Sequence, residues 1–427
     1  MTKIKPSLCS ALFLDSGGGW TPDKKNSFIF FKNPVLSLLS REGVVTVNRF
    51  DSPTTNFPET KFETRRNPIS VLQGYLEEGY YGAGYIGYEF SRFTEEGFIP
   101  FHKKEGDEVP DLYILFFRKE DVVLGETHDL KYLLPISSQE QIINAERCRS
   151  HQTSRLYSNM SKQEYIGMVD RAKDYIASGD AYQVNLSQRF TAALQPSPIS
   201  YFLSLYGVQP VPFGSYLDFG EFQVISGSME LFLRKTGERL VTKPIKGTKK
   251  RGFTVEADAI LRAELVSSEK ERAENLMIAD LMRNDLGRVC KTGTVKVNKL
   301  FDIESYSTLH QMVSEIEGCL EDETGITAII ESTFPPGSVT GAPKKRASEL
   351  IDELEPHRRG PYCGAIGIFT PDGDLTLSVG IRILMVKEGK AQFWVGGGIV
   401  WDSDPEKEYE ETLIKARAIK KAMGILE

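Results

Sequence analysis

Two short segments of the chain each place a pair of glutamates three residues apart. Glu271 and Glu274 form one pair, and Glu408 and Glu411 form the other. Because residues three apart on a helix share a face, each pair predicts two carboxylates on the same side of a helix. Four carboxylates converging from two helices would suit Mg²⁺, which prefers oxygen ligands. The alternative is an ordinary solvated helix terminus, in which Glu271 closes a capping box with Ser268.

A basic segment from Lys243 to Arg251 contains five cations in nine residues. One interpretation is an exposed basic turn. The other is an anion-binding pocket, in which neighbouring positive charge lowers the pKa of one lysine and leaves its amine free as a nucleophile. The segment alone leaves both interpretations open.

Three further features have a chemical and a structural interpretation. The glycines at 396–398 predict either a close approach of backbone to a ligand or a strand bend. Arg382, flanked by isoleucines on an apolar strand, requires either a substrate carboxylate or an internal ion pair. His310 is by default a satisfied core histidine.

The spacing Gly82–Gly87 fits a dinucleotide fingerprint, but no amphipathic helix follows it, so we reject that motif.

The elements that must position these residues are predominantly antiparallel strands. Short β-rich runs alternate with Gly, Pro and Asn between residues 10 and 117, with a helix near 68–78. After a polar stretch, helices are predicted at 161–178, 268–284 and 405–423, and one continuous strand at 375–386. The order is not strictly βαβ, which predicts an α+β fold with large antiparallel sheets. We expect two domains, 1–155 and 156–427.

Composition and charge limit the classes of function. The 427 residues are 40% hydrophobic and 26% charged, as in a soluble globular protein. The net charge of −7 argues against a nucleic-acid partner. Five cysteines without a C-x-x-C spacing predict reduced thiols, and no apolar run approaches the roughly 18 residues of a membrane span. We therefore expect a cytoplasmic protein with no membrane segment.

In order along the chain, several long motifs resemble the chorismate-utilising enzymes, which include the anthranilate, aminodeoxychorismate, isochorismate and salicylate synthases. The N-terminal part, with LFLDSGG and GYIGYEF, looks like the first domain of that family. The resemblance implies a two-domain α/β sandwich with outer helices, like anthranilate synthase component I, and an active site in the cleft of the larger domain. The matching stretches are GDAYQVNLSQRF (179–190), PIKGT (244–248), KERAENLMIADLMRNDLGRV (270–289), GSVTGAPKKRA (337–347), GPYCGAIG (360–367) and GGGIVWDSDPEKEYEETLIKA (396–416).

The resemblance also implies a role for each matching residue. Glu274 and Glu411 would hold Mg²⁺ directly, and Glu271 and Glu408 would support it through water. Glu230 would be the general acid that protonates the departing C4 hydroxyl of chorismate. The other residues implied are His310 and Lys246 in catalysis, and Gln183, Thr248, Ser338, Tyr362, Arg382, Gly396, Gly397, Gly398 and Lys415 in substrate binding.

Within this family, the lysine of PIKGT indicates the reaction. Aminodeoxychorismate synthases carry lysine there, whereas anthranilate synthases and the hydroxyl-transferring members typically carry alanine. Lys246 therefore implies that chorismate and ammonia give 4-amino-4-deoxychorismate, a precursor of p-aminobenzoate and folate, through a covalent intermediate. Gln183 replaces the water-activating lysine of isochorismate synthases, which disfavours addition of water.

The chain also departs from the family pattern and leaves other functions open. It shows no recognisable glutaminase segment, so a separate glutamine amidotransferase subunit should supply the ammonia. The usual Ser-Pro-Glu is Ser-Met-Glu here, and Leu231 follows where a basic residue is common. The alternatives are an anthranilate synthase component I and a catalytically inactive chorismate-binding regulatory subunit.

Overall fold

The computed structural model describes residues 9–50, 60–62, 67–94, 109–132, 156–194, 197–307, 309–423 and 425. Two large antiparallel sheets and a set of helices make up these residues, which confirms the predicted α+β class. The strands in chain order are β1 (Ser10–Asp15), β2 (Ser27–Phe31), β3 (Leu36–Arg41), β4 (Val44–Arg49), β5 (Thr60–Phe62), β6 (Tyr81–Ile86), β7 (Leu112–Phe117), β8 (Val122–Glu126), β9 (Tyr157–Ser158), β10 (Gln183–Ala193), β11 (Phe213–Asp218), β12 (Gln223–Ser228), β13 (Leu231–Thr236), β14 (Arg239–Lys243), β15 (Ile245–Lys250), β16 (Lys296–Ser305), β17 (Leu309–Cys319), β18 (Gly341–Ala342), β19 (Ala365–Phe369), β20 (Leu375–Val379), β21 (Ile383–Lys387) and β22 (Lys390–Ile399).

The helices of the described residues pack against these sheets. The three helices predicted after residue 155 are all present. Short 3-10 helices occupy Tyr88–Phe93 and Gly337–Val339. The α-helices are α1 (Pro68–Glu77), α2 (Lys162–Ala177), α3 (Pro198–Val208), α4 (Val255–Ser267), α5 (Glu269–Gly287), α6 (Ile326–Thr333), α7 (Lys344–Leu354) and α8 (Pro405–Ala422). None of them, within the described part of the chain, has the length and apolarity needed to cross a membrane.

The first sheet has the strand order β18-β10-β22-β21-β12-β11-β1-β2-β8, and the second β15-β17-β14-β13-β20-β19-β6-β7-β3-β4-β5. One buried cluster includes Phe13 of β1 and Ile114 of β7, so the two sheets pack face to face around a shared core. Another cluster joins the first sheet to α3 and α8 through residues such as Phe202 and Ile419. Both sheets contain strands from either side of residue 155; the predicted boundary lies outside the described residues and stays a prediction.

The predicted strand at 375–386 is two strands in different sheets, so that prediction is wrong. β20 pairs with β19 and β13 in the second sheet, whereas β21 pairs with β12 and β22 in the first. The chain crosses between the sheets at Gly380–Arg382, and Arg382 has a φ of 52°, a left-handed conformation that breaks a strand. Arg382 therefore lies in a crossover and not within an apolar strand.

A second crossover lies beside the first. β12 belongs to the first sheet and β13 to the second, and Ser228–Leu231 makes this crossing. The N–H of Gly227 donates to the carbonyl of Arg382 at 3.2 Å, and the N–H of Val379 donates to the carbonyl of Glu230 at 3.0 Å. The two crossovers thus hold Glu230 and Arg382 in adjacent backbone segments.

Candidate active site

Glu230 is a buried carboxyl group at the β12–β13 crossover. It is 4% exposed, and its Oε1 accepts a hydrogen bond from the N–H of Ile245 at 3.4 Å. Burial raises its pKa to about 7, although a hydrogen bond from Ser338 and the charge of Lys246 act in the opposite direction. At neutral pH a substantial fraction of Glu230 therefore carries a proton, as a general acid must.

Lys246 lies in a β-bulge of β15, close enough to Glu230 for the two charges to interact. Ile245 pairs with Val313 and Thr248 with Gln311, so two residues of β15 face one residue of β17. Such a bulge re-aims a side chain. Gly247 has a φ of 87°, and a Cβ there would lie 2.9 Å from Oε2 of Glu271. The bulge therefore requires glycine and brings β15 against the first turn of α5.

The pKa of Lys246 is lowered, but the cause differs from the one predicted. Burial is the largest influence and the charge of Lys415 adds to it, whereas the charges of Glu274, Glu230 and Glu271 oppose it. The shift toward the neutral amine therefore comes from partial burial of the side chain and not from the neighbouring cations of the segment.

The other cations of the basic segment are not gathered into an anion pocket. Nζ of Lys243 lies 3.0 Å from Oε2 of Glu315, and Nη2 of Arg251 lies 2.6 Å from Oδ2 of Asp258. The segment is a paired strand and not an exposed turn. The segment is therefore neither an exposed turn nor, as a whole, an anion-binding pocket. One of its lysines, Lys246, lies in the candidate site.

The paired glutamates of α5 and α8 share one region. Burial raises the pKa of Glu274, and the charges of Glu271 and Glu411 raise it further. Burial also raises the pKa of Glu408, again with a contribution from Glu411. A Cβ on Gly397 would lie 3.2 Å from Oε2 of Glu408 and 3.7 Å from Oε1 of Glu411. The two helices and the glycine run of β22 therefore meet at the same place.

This region has the donor chemistry for Mg²⁺. Among the described residues no three His, Cys, Asp or Glu side chains form a finished metal-binding cluster. Mg²⁺ does not require one, because it binds through one or two carboxylates and keeps several waters or substrate oxygens. The N–H of Glu271 donates to Ser268 Oγ at 3.4 Å, so the capping interaction is present as well.

Two side chains in the site have buried polar atoms without partners among the described residues. Nη1 of Arg382 is buried and unpaired, and burial lowers the pKa of Arg382 to about 10. Gln183 is 0% exposed, and both its Oε1 and its Nε2 lack a partner. A Cβ on Gly398 would lie 2.1 Å from that Nε2. Buried polar groups are normally hydrogen-bonded, so these orphaned atoms indicate a ligand with matching groups.

The remaining predicted substrate-binding residues lie at the edges of this site. Tyr362 is buried, and its ring stacks on that of Trp394 with centroids 6.1 Å apart. Lys415 lies 2.7 Å from Glu411 and donates to the carbonyl of Gly396 at 2.8 Å. Thr248 is exposed on β15. The glycines 396–398 are paired with β10 throughout, so they form a strand that also approaches the carboxylates.

His310 is engaged elsewhere. Its Nδ1 lies 2.7 Å from Ser305 Oγ and its Nε2 lies 3.0 Å from Asp258 Oδ1, and the residue is buried. This arrangement matches the core-histidine interpretation. A catalytic role for His310 stays a prediction.

Sequence reasoning missed two residues beside the carboxylates. Ser403 donates to Oε1 of Glu408 at 2.7 Å and orients that carboxylate. Lys270 lies 3.9 Å from Glu274, and its charge lowers the pKa of Glu408. Both lie within the quoted motifs. The i, i+4 spacing of Lys270 and Glu274 was a readable signal.

Comparisons with known proteins identify the family of the chain. A family model described as chorismate binding enzyme matches residues 11–421. Aminodeoxychorismate synthase component 1 of Bacillus subtilis is 34% identical over 92% of this chain and 88% of its own length. Anthranilate synthase component 1 of Thermus thermophilus is 40% identical over 81% of this chain and 77% of its own length. The crystal structure of anthranilate synthase component I from Streptococcus pneumoniae superposes with a TM-score of 0.76, at 28% identity, over 93% of this chain and 92% of that one. The chain therefore belongs to the chorismate-binding enzyme family.

Proposed function

We propose that the chain is component I of an aminodeoxychorismate synthase, which converts chorismate and ammonia to 4-amino-4-deoxychorismate. The observation that supports the proposal is the proximity of Lys246 to Glu230, close enough for their charges to interact, the first with a lowered pKa and the second with a pKa of about 7. Overall identity does not separate this function from anthranilate synthesis, because relatives named for each activity match the chain. The side chain at 246 is the specific feature that favours 4-amination.

The orphaned polar atoms supply the substrate contacts in this proposal. Chorismate carries two carboxylates, and the unpaired guanidinium edge of Arg382 would bind the enolpyruvyl one. Gln183 offers one donor and one acceptor to the substrate or to ammonia. Mg²⁺, bound by Glu274 and Glu411 and supported through water by Glu271 and Glu408, would bind the ring carboxylate and offset its charge.

The chemistry follows from the two protonation states. Neutral Lys246 attacks C2 of chorismate while Glu230 gives its proton to the C4 oxygen, both ring double bonds shift and water leaves. Ammonia then adds at C4, both double bonds shift back, the lysine amine is expelled from C2, and the nitrogen added at C4 returns a proton to the Glu230 carboxylate. The two displacements return the new substituent to C4. The product leads to p-aminobenzoate and folate, a cytoplasmic route in this proposal.

Intact-protein mass spectrometry tests the covalent step. With chorismate and Mg²⁺ but no ammonia, the wild type should gain the mass of chorismate less one water. Lys246→Ala should show no such adduct, and Lys249→Ala on the same strand serves as the control that keeps it. Wild-type protein that makes 4-amino product without any adduct would remove Lys246 as the nucleophile.

The ammonia source is part of the same proposal. The chain alone should consume chorismate with ammonium salts and should not use glutamine. Addition of a cognate glutamine amidotransferase subunit should confer glutamine use. Turnover of glutamine by the pure chain would contradict the separate-subunit proposal.

A further inference from the structure

Arg359 is a buried arginine in the turn between α7 and β19. It is 1% exposed, and it forms a bidentate pair with Glu355, with Nε to Oε2 at 2.9 Å and Nη2 to Oε1 at 2.7 Å. Burial alone would lower its pKa, but the charge of Glu355 raises it well above the ordinary arginine value. The guanidinium therefore stays charged in the interior.

Its remaining donors reach the backbone of two other segments. Nη1 donates to the carbonyl of Val339 at 3.1 Å, and Nη2 donates to the carbonyl of Asn185 at 2.6 Å. Val339 follows Ser338, whose hydroxyl bonds to Glu230. Asn185 is two residues from Gln183 and pairs with Gly398 across the β10–β22 ladder. One side chain thus links the Ser338 turn to the strand that carries Gln183.

The backbone of Arg359 fixes a third segment. The N–H groups of Arg359 and Gly360 donate to the carboxylate of Glu89 at 2.7 and 2.9 Å. The N–H of Tyr362 in turn donates to the carbonyl of Arg359 at 3.1 Å. The guanidinium also lies over the ring of Tyr88, 4.6 Å from its centroid. The turn that presents Tyr362 is therefore anchored at the same point.

We propose that Arg359 is a positioning residue that aligns Ser338, Gln183 and Tyr362 for the reaction. The inference rests on the proposed function, in which Ser338 contacts Glu230 and Gln183 contacts the substrate or ammonia, and on the substrate-binding role that the family resemblance implies for Tyr362. Arginine is required because its planar fork offers five donors in fixed directions, enough for Glu355 and two carbonyls at once. A lysine would keep the charge but offers three donors from a single nitrogen. Small misplacements of catalytic groups cost large factors in rate.

A double-variant cycle with Ser338 tests the proposal. Arg359→Lys should lower kcat/KM for ammonium-dependent consumption of chorismate by about tenfold or more. In a Ser338→Ala background the same substitution should cost clearly less, because one of the groups that Arg359 aligns is already missing. If the loss of kcat/KM in the double variant equals the product of the losses in the two single variants, the proposal is wrong.

A stability control separates positioning from general damage. Lys235→Ala removes an ion pair in which Nζ of Lys235 lies 3.2 Å from Oδ1 of Asp374, between the ends of the β13–β14 and β19–β20 hairpins. This control should lower the melting temperature and leave kcat/KM unchanged. If Arg359→Lys loses activity only in proportion to its unfolded fraction, the positioning role is wrong.

Glu89→Gln provides a second route should Arg359→Lys fail to fold. This variant loses one of the two carboxylate oxygens that accept from the N–H groups of Arg359 and Gly360. It should therefore raise KM for chorismate severalfold. An unchanged KM would refute the inference. Failure of the proposed function is distinguishable, because it appears in the wild type itself, as a product other than 4-amino-4-deoxychorismate or as no consumption of chorismate. The positioning test depends only on variant-to-wild-type ratios and holds for either amination product.

Discussion

At Lys246 and Glu230, burial acts on two opposite charges and favours the neutral form of each. It lowers the pKa of the lysine and raises that of the glutamate to about 7. Their mutual attraction opposes both shifts and burial wins in each case. Both shifts are toward the neutral amine and the neutral acid, which are the protonation states that the first step of the proposed reaction needs.

Lys246→Ala should change the product as well as the rate. Without the amine, no leaving group at C2 directs ammonia to C4, so the 4-amino product should fall by at least about a hundredfold. Residual amination should shift toward the 2-amino isomer or anthranilate. Chromatographic separation of the products measures this partition. If Lys246→Arg retained the full 4-amino product, the role of Lys246 would be electrostatic.

Glu230→Gln should stabilise the fold at alkaline pH while it abolishes activity. In the unfolded chain this carboxyl ionises near 4.5, and in the folded chain near 7. Folding therefore takes up a proton between these values, and wild-type stability falls as pH rises through that window. Well above pH 7, ionisation of Glu230 lowers the free energy of unfolding of the wild type by about 3 kcal/mol.

Thermal unfolding at pH 4 and pH 8 measures the effect. The melting temperature of Glu230→Gln should exceed that of the wild type at pH 8 and match it at pH 4. An equal difference at both values would show that ionisation of Glu230 is not the cause.

At the scale of elements, a single bulge in β15 decides where Lys246 points. The extra residue faces Met312 of β17, and Gly247 permits the turn with a φ of 87°. The glycine also makes room for the carboxylate of Glu271, because a Cβ would lie 2.9 Å from its Oε2. Strand β15 and helix α5 are thus fitted to each other at the candidate metal region.

Gly247→Ala should therefore disrupt the site more than it disrupts the fold. A left-handed alanine costs about 1–2 kcal/mol, and the contact with Glu271 adds displacement of a carboxylate. Gly389→Ala is the matched control, since Gly389 has a φ of 73° and nothing within 4 Å of an added Cβ. Both variants should lose similar stability, and only Gly247→Ala should lose most of its kcat/KM. Equal activities would argue against the role of the bulge.

The helices α5 and α8 carry the proposed Mg²⁺ ligands. Glu274→Gln and Glu411→Gln should each weaken Mg²⁺ binding by about a hundredfold, measured by calorimetry and by the Mg²⁺ dependence of turnover. Glu410→Gln, on the exposed side of α8, should leave both unchanged. Full turnover of both ligand variants at low Mg²⁺ would remove the assignment.

Helix prediction succeeded where motif and apolar pattern coincided, and it missed α3, α4, α6 and α7. The helices bearing Glu271 and Glu408 were located by their caps and paired acids. Helix α4 was missed because Leu265 is its one buried residue, so it has almost no apolar periodicity. Similarly, the cause of the shifted pKa of Lys246 is burial in the folded state, which no local pattern of cations reveals.

At the scale of the whole molecule, the site depends on two chain crossings between the packed sheets. Both crossings are short breaks within apolar sequence, at 228–231 and at 380–382. Sequence periodicity could not distinguish one long strand from two strands in different sheets, because both alternatives bury the same residues. Only the assembled sheets place Glu230 next to Arg382.

The identity of the product shows directly whether this site adds ammonia at C4 of chorismate. The purified chain should be incubated with chorismate, Mg²⁺ and an ammonium salt, and the product identified by mass and retention time. We predict 4-amino-4-deoxychorismate, which keeps the enolpyruvyl group, with no pyruvate released. Anthranilate accompanied by an equal amount of pyruvate would contradict the account and make the chain an anthranilate synthase component.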